Sequence, residues 1–209
     1  MPVRESPLHH LSSYLPEGTY EQVAHYLVEF KVHLTITRER TTKLGDYRNK
    51  YLNKNHRISV NGNLNKYSFL ITLLHELAHL VAHEKYGNKI QAHGMEWKKE
   101  YGIILAKFIT RKMFPADIEA ELLKTLRDPA ASSCAEAPLL RVLRRHDPHK
   151  PGIFLLEDLP SESWFRVKNG NIYSKGKKVR TRFLCKDLTT KKLFLFSPVA
   201  EVELVNKES

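Results

Sequence analysis

The sequence is poor in cysteine, with Cys134 and Cys185 alone among 209 residues. Two cysteines cannot staple a disulfide scaffold or supply a four-cysteine metal site, and a reducing compartment suits them. Apolar residues never run to the roughly 18–20 positions that a membrane span needs. The opening MPVRESPLHH lacks the apolar stretch of a secretory leader. A cytoplasmic address and no membrane partner are therefore expected. Repeats and low-complexity tracts are absent as well. Acidic residues are scarce: 23 Asp and Glu stand against 34 Lys and Arg, a net charge of +11. Such a surplus favours a polyanionic partner, DNA above all. The charge is clustered. Residues 31–66 carry nine Lys/Arg against Glu39 and Asp46, and residues 166–192 carry ten against Asp187 alone.

What is present reads as an α+β chain. Thr19 with Gln22 three positions on has the form of a capping box. Val23, Leu27 and Phe30 follow at helical spacing, which predicts a helix over 18–30. Val32, Leu34 and Ile36 alternate with polar residues as in a half-buried strand. KLGDYR (43–48) places Gly45 and Asp46 in a turn before a second strand. RISVN (57–61) gives a third strand, closed by Asn61-Gly62. The expectation is a three-stranded antiparallel sheet framed by helices. From Lys66 to Tyr86 the period becomes helical and the apolar face is wide, with Gly87 as the stop. Helices are also expected after His93, with Trp97, Tyr101, Ile104 and Phe108 inward, and over 116–128. DPAASSCAEAP (128–138) reads as a loop. The predicted division is a domain over 1–130, a linker or short helix over 131–150, and a basic β-rich tail over 151–209.

The chemistry is concentrated in His75-Glu76-Leu77-Ala78-His79, an HExxH motif. On a helix, residues i and i+4 share a face, about 6 Å apart along the axis. Both imidazoles then reach one zinc ion, and Glu76 lies beside it as a base that occupies no coordination position. A five-residue motif also arises by chance. Here it sits among buried leucines, where unpaired polar groups are costly and a metal would satisfy both histidines. His83 lies about 12 Å along the axis from His75, too far for a straight helix to bring both to one ion. A turn after Gly87 delivers His93, the expected third ligand, and leaves His83 as a surface or outer-shell histidine.

These features resemble the SprT-like zinc metalloprotease family, to which the DNA–protein crosslink protease Spartan belongs. The similarity rests on HELAH (75–79), His93-Gly94 with Trp97, and the preceding KLGDYR and RISVN, and covers roughly residues 15–128. It implies a zincin-like core, Zn2+ on His75, His79 and His93, Glu76 as catalytic base or acid, and protein substrates on or near DNA.

The tail resembles the C-terminal zinc ribbon, built on two CxxC knuckles, that many bacterial relatives carry. Here Leu188 stands where a partner for Cys185 belongs, so a metal-free β-meander is expected, held by Trp164, Phe165, Tyr173, Phe183, Phe194 and Phe196. Turns are expected at Lys168-Asn169-Gly170 and Ser174-Lys175-Gly176. The leading functional expectation is a zinc-dependent metalloendopeptidase acting on DNA-associated proteins. The alternative is a zinc-containing nucleic-acid-binding module with little or no proteolysis. A closed structural zinc site would need a fourth ligand such as Glu96. Tyr67, Arg48 and Tyr101 are candidates, by chain location alone, to steady an oxyanion.

Overall fold

A computed structural model describes residues 8–40, 42–50, 55–126, 128–129, 134, 136–148 and 150–206. The chain divides into two units, Met1–Asp147 and Pro148–Ser209.

In the first unit a 3-10 helix over Leu8–Tyr14 precedes α1 (Tyr20–Glu29). The capping box is not formed. Thr19 holds helical backbone angles, and its hydroxyl donates to Pro16 O at 2.7 Å instead of capping α1. Strands β1 (His33–Thr37), β2 (Gly45–Arg48) and β3 (Arg57–Asn61) form a sheet in the order β1-β3-β2. The sheet is mixed, not antiparallel throughout: β2 runs antiparallel to β3, and β1 runs parallel to it. The alternation in β1 reported burial but not direction. The chain from β1 passes over the central position to the far edge, and β3 then returns between the two. Gly45 and Asp46, expected in a turn, are the first residues of β2.

Helix α2 runs from Lys66 to Tyr86 and is buried on nearly every side from Ser68 to Ala82. Asn65 Oδ1 caps its first turn by accepting from Ser68 N at 2.8 Å. Gly87 ends it with φ +77°, a left-handed angle that glycine adopts without strain. Helices α3 (Met95–Thr110) and α4 (Ala116–Thr125) follow. Within the expected linker or short helix over 131–150 lies α5 (Ala137–Arg145). Its Leu139, Val142 and Leu143 are buried in the first unit's core with Phe69, Leu73, Trp97 and Phe108. Asn65 Nδ2 donates to Leu143 O and Asp147 Oδ1, tying α5 to the head of α2. Of the expected loop over 128–138, residues 130–133 and 135 lie outside the described residues, and Ala137 and Pro138 open α5 instead.

The second unit comprises β4 (Ile153–Leu155), β5 (Trp164–Arg166), β6 (Ile172–Ser174), β7 (Lys178–Val179), β8 (Arg182–Asp187), β9 (Leu193–Phe196) and β10 (Glu201–Val205). It is not a simple meander: β10 returns between β4 and β5, and β9 pairs with β8. Its core is Leu156, Leu159, Phe165, Tyr173, Cys185 and Val202, with Phe183 and Phe196 packed against it. Trp164 and Phe194, expected inside, are not in that cluster, and Phe194 is 42% exposed. The turn at 168–170 forms, with Gly170 at φ +88°. Ser174-Lys175-Gly176 is a bulge rather than a turn. Strands β6 and β7 both pair with β8, and the hairpin closes at Arg180-Thr181.

Candidate metal centre

Helix α2 presents His75 and His79 one turn apart on the face turned toward His93, which the chain delivers just before α3. The three Nε2 atoms form a near-equilateral triangle, with sides of 3.3 Å (75–79), 3.1 Å (79–93) and 3.2 Å (75–93). An imidazole nitrogen has a single in-plane site, either a lone pair or an N–H. Three such atoms in mutual contact cannot all be matched as donor and acceptor. A tetrahedral zinc 2.0–2.1 Å from each would space them about 3.3–3.4 Å apart and leave one vertex open. The donor set therefore fits a zinc ion.

The indole of Trp97, fully buried, underlies the triangle, with ring centroids 4.7 Å from His75, 5.2 Å from His79 and 4.7 Å from His93. This packing fixes the imidazoles and strips their water. Burial pushes His75 down to about 3 and His79 to about 4, helped by the neighbouring histidines. His93 is lowered by burial as well. All three are neutral at pH 7, the form that binds metal. His75 Nδ1 and Trp97 Nε1 are buried with no hydrogen-bond partner among the described residues.

Glu76 is 6% exposed and lines a cleft of about 1080 Å³ together with His75, His79, His93 and strand β2. Burial, then the Asp46 carboxylate, raises its carboxyl to about 8, while Arg40, Lys43 and the backbone N–H of Tyr47 oppose the rise. A cation on the three imidazoles would draw it down again.

The loop that carries β2 is fixed by Asn61, 1% exposed. Its Nδ2 donates to Arg40 O and Lys43 O, both at 3.1 Å. Its Oδ1 accepts from Arg40 Nε at 2.7 Å and Thr37 Oγ1 at 3.1 Å. Asn61 ends β3, as expected, ahead of the turn at Gly62. The Asn-Gly pair signals a turn but not the inward amide. Tyr47 also escaped the sequence reading. Its ring lies parallel to His79, with centroids 6.3 Å apart and an interplanar angle of 4°, and it lines the cleft.

The other sequence candidates separate. Arg48 lines the cleft and pairs with Asp46 at 3.1 Å. Tyr101 is buried behind His75 and stacks on Trp97. Tyr67 packs against His146, away from the cleft lining. Glu96 lies outside the three-histidine group, and His83 belongs to a second group with His56 and Glu84.

Residues 17–116 match the SprT-like family. That region holds α1, the three-stranded sheet, α2, the three histidines and α3, and makes up just under half of the chain. The second unit lies beyond it. Curated relatives match over a shorter stretch. Protein SprT of Pseudomonas entomophila (strain L48) is 67% identical over 27 residues, which is 13% of this chain and 16% of that protein. Protein SprT of Pseudomonas putida (strain W619) is 63% identical over 27 residues, with the same coverage. The matched stretch thus spans about a sixth of the length of these relatives. No solved structure matches the chain. Among the described residues, no helix is long and apolar enough to cross a membrane.

Proposed function

We propose that the chain is a zinc-dependent metalloendopeptidase of the SprT-like type, with His75, His79 and His93 as ligands and Glu76 as general base and acid. The triangle of imidazole nitrogens beside a buried glutamate carries this reading. Zinc held there supplies a Lewis acid for a peptide carbonyl and an acidified water. The protein's own groups do the rest. Glu76 takes the proton of the attacking water on a carboxylate oxygen and passes it to the leaving amine. Gly45 and the Tyr47 N–H hold that carboxyl against β2. Among the described residues β2 pairs with β3 alone, and its outer edge borders the cleft, so an extended substrate can add there as a strand. Water is excluded beneath the site by Trp97 and Tyr101.

The substrates are proteins associated with DNA. Exposed Lys178, Arg180, Arg182 and Lys186 on the β7–β8 hairpin support a phosphate-contacting surface, as does Arg57 in the cleft lining. The same cations support the second reading, a zinc-containing nucleic-acid-binding module with little proteolysis. The deciding experiment is cleavage of a basic DNA-binding protein by zinc-loaded wild type and Glu76→Gln, with and without single-stranded DNA. Cleavage lost in Glu76→Gln is the expected result. Equal cleavage by both proteins overturns the mechanism. No cleavage by either, with DNA bound, favours the binding module.

A further inference from the structure

One turn of α2 beyond His79, a second set of ligand-type atoms converges. His56 Nε2 and His83 Nδ1 lie 3.3 and 3.5 Å from Glu84 Oε1, and the three atoms all fall within 4.8 Å of one another. No residue is shared with the first group. Ligands on a common tetrahedral ion at 2.0–2.2 Å stand about 3.3–3.6 Å apart.

The far side of each imidazole is already held. His83 Nε2 is 2.6 Å from Asn88 Oδ1, and His56 Nδ1 is 3.0 Å from the Tyr47 hydroxyl. An amide oxygen only accepts, so the shorter contact, to Asn88 Oδ1, places a hydrogen on His83 Nε2, with Asn49 Nδ2 farther off at 3.3 Å. In that tautomer Nδ1 turns a lone pair toward the carboxylate. Asn49 Nδ2, 3.3 Å from Asn88 Oδ1, donates to that same oxygen. His83 Nδ1 is buried and has no hydrogen-bond partner among the described residues. Two acceptors facing each other repel unless a proton or a metal ion lies between them. Histidine ligands typically have their second nitrogen fixed in this way by outer oxygens. The cation now on Glu84 is Lys50, whose ammonium lies 2.9 Å from both carboxylate oxygens on a half-exposed side chain.

We propose that His56, His83 and Glu84 form a second divalent-cation site, weaker than the first, in which a zinc-type ion competes with the Lys50 ammonium for the Glu84 carboxylate. Two imidazoles and one carboxylate favour zinc over magnesium or calcium. Tyr47 joins the two sites, with its hydroxyl on His56 and its ring against His79, so occupancy of the second fixes the wall of the first.

The test is equilibrium dialysis of the full chain against rising free zinc, with bound metal counted by mass spectrometry and magnesium in parallel. Wild type should take up two zinc equivalents in separate steps and no magnesium at the second. Glu84→Gln, a change at a part-exposed position, should keep the first step and lose the second. Lys50→Met should move the second step to about tenfold lower free zinc, the equivalent of losing one competing charge contact. His93→Ala should weaken the first step and spare the second. A single equivalent in both wild type and Lys50→Met overturns the proposal, as does a second step that Glu84→Gln leaves unchanged.

Discussion

Gly45 lies directly against Glu76: a β-carbon at position 45 would stand 2.5 Å from Glu76 Oε1 and 2.8 Å from its Cγ. It would also stand 2.8 Å from Thr72 Cγ2. The strand and the helix meet there without room for a methyl group, so the position of the carboxyl is set from β2 as much as from α2. Gly45→Ala should therefore push Glu76 aside while leaving the three imidazoles in place. Displacement of a catalytic group by about 1 Å can cost on the order of a hundredfold in rate, and overpacking about 1–3 kcal/mol of stability. The expected variant binds one zinc at the histidine triangle as wild type does, melts lower, and cleaves about a hundredfold more slowly. Normal turnover would show that Glu76 relaxes freely and that the close approach has no catalytic weight.

Acid should act on the apo-protein and on metal loading in different ranges. His75 and His79 take up protons in the fold only near pH 3 and 4, whereas in the unfolded chain they do so near the ordinary value of about 6.5. The unfolded state binds more protons between those limits, so stability of the metal-free protein falls as pH drops through about 6.5 and continues to fall toward 4. Above about pH 7 these two histidines contribute no pH dependence. Metal loading of the wild type should weaken as pH falls from 7 to 5.5, because Glu76, protonated in the metal-free fold, gives up its proton when the cation draws its carboxyl down. In Glu76→Gln the dependence should be flatter, because His75 and His79 need shed no proton there. Thermal melts of the chelated protein and zinc retention across the same pH series check both statements. A zinc-release midpoint near 6.5 in Glu76→Gln would mean that the imidazoles titrate as solvated groups, at about their ordinary value.

Asn61 shows how a residue remote from the chemistry can govern it. Removing its amide takes a partner from Arg40 O, Lys43 O and Arg40 Nε, all of which shape the approach to β2, while the other guanidinium nitrogens keep Ser59 and Leu44. Each buried group left unpaired costs about 1–3 kcal/mol. Asn61→Ala should lower the melting temperature and depress activity beyond the loss of folded protein, because Gly45 loses its register against Glu76. Specific activity per folded molecule, measured well below the melt, separates the two effects. Unchanged activity there would confine Asn61 to stability.

The metal helix was legible because its signals agree: apolar residues on every face, an HExxH at i and i+4, and a glycine where the left-handed angle falls. His93 followed from the length of a rigid helix, which forces the chain to turn before a third histidine can reach the ion. The direction of β1 was not legible, since alternation reports burial and not the neighbour's polarity. Gly45 reads as a turn residue when only its neighbours in sequence are visible; its reason for being glycine lies 31 positions away, in Glu76. The Ser174-Lys175-Gly176 bulge misleads in the same way. A β-carbon at Gly176 would lie 2.1 Å from Leu184 O, so the glycine serves a close backbone approach to β8 rather than a turn.

The tail separates two kinds of basic residue. Lys175 is 5% exposed, and its ammonium donates to Glu157 O and Leu159 O while lying 4.3 Å from the Phe183 ring. Lys178, Arg182 and Lys186 are exposed on β7 and β8. Lys175→Met should destabilise the second unit by about 1–3 kcal/mol, through loss of the ammonium that donates to Glu157 O and Leu159 O, and should leave the salt dependence of DNA binding unchanged. Converting Lys178, Arg182 and Lys186 to glutamine should do the reverse. The melt stays in place, while the slope of log affinity against log salt flattens by about 0.7–0.9 for each phosphate contact removed. Titrations with single- and double-stranded DNA at several salt concentrations, beside thermal melts, read both outcomes. If the triple variant keeps the wild-type slope, the hairpin does not touch phosphate, and the cluster over residues 31–66 becomes the remaining basic surface to test.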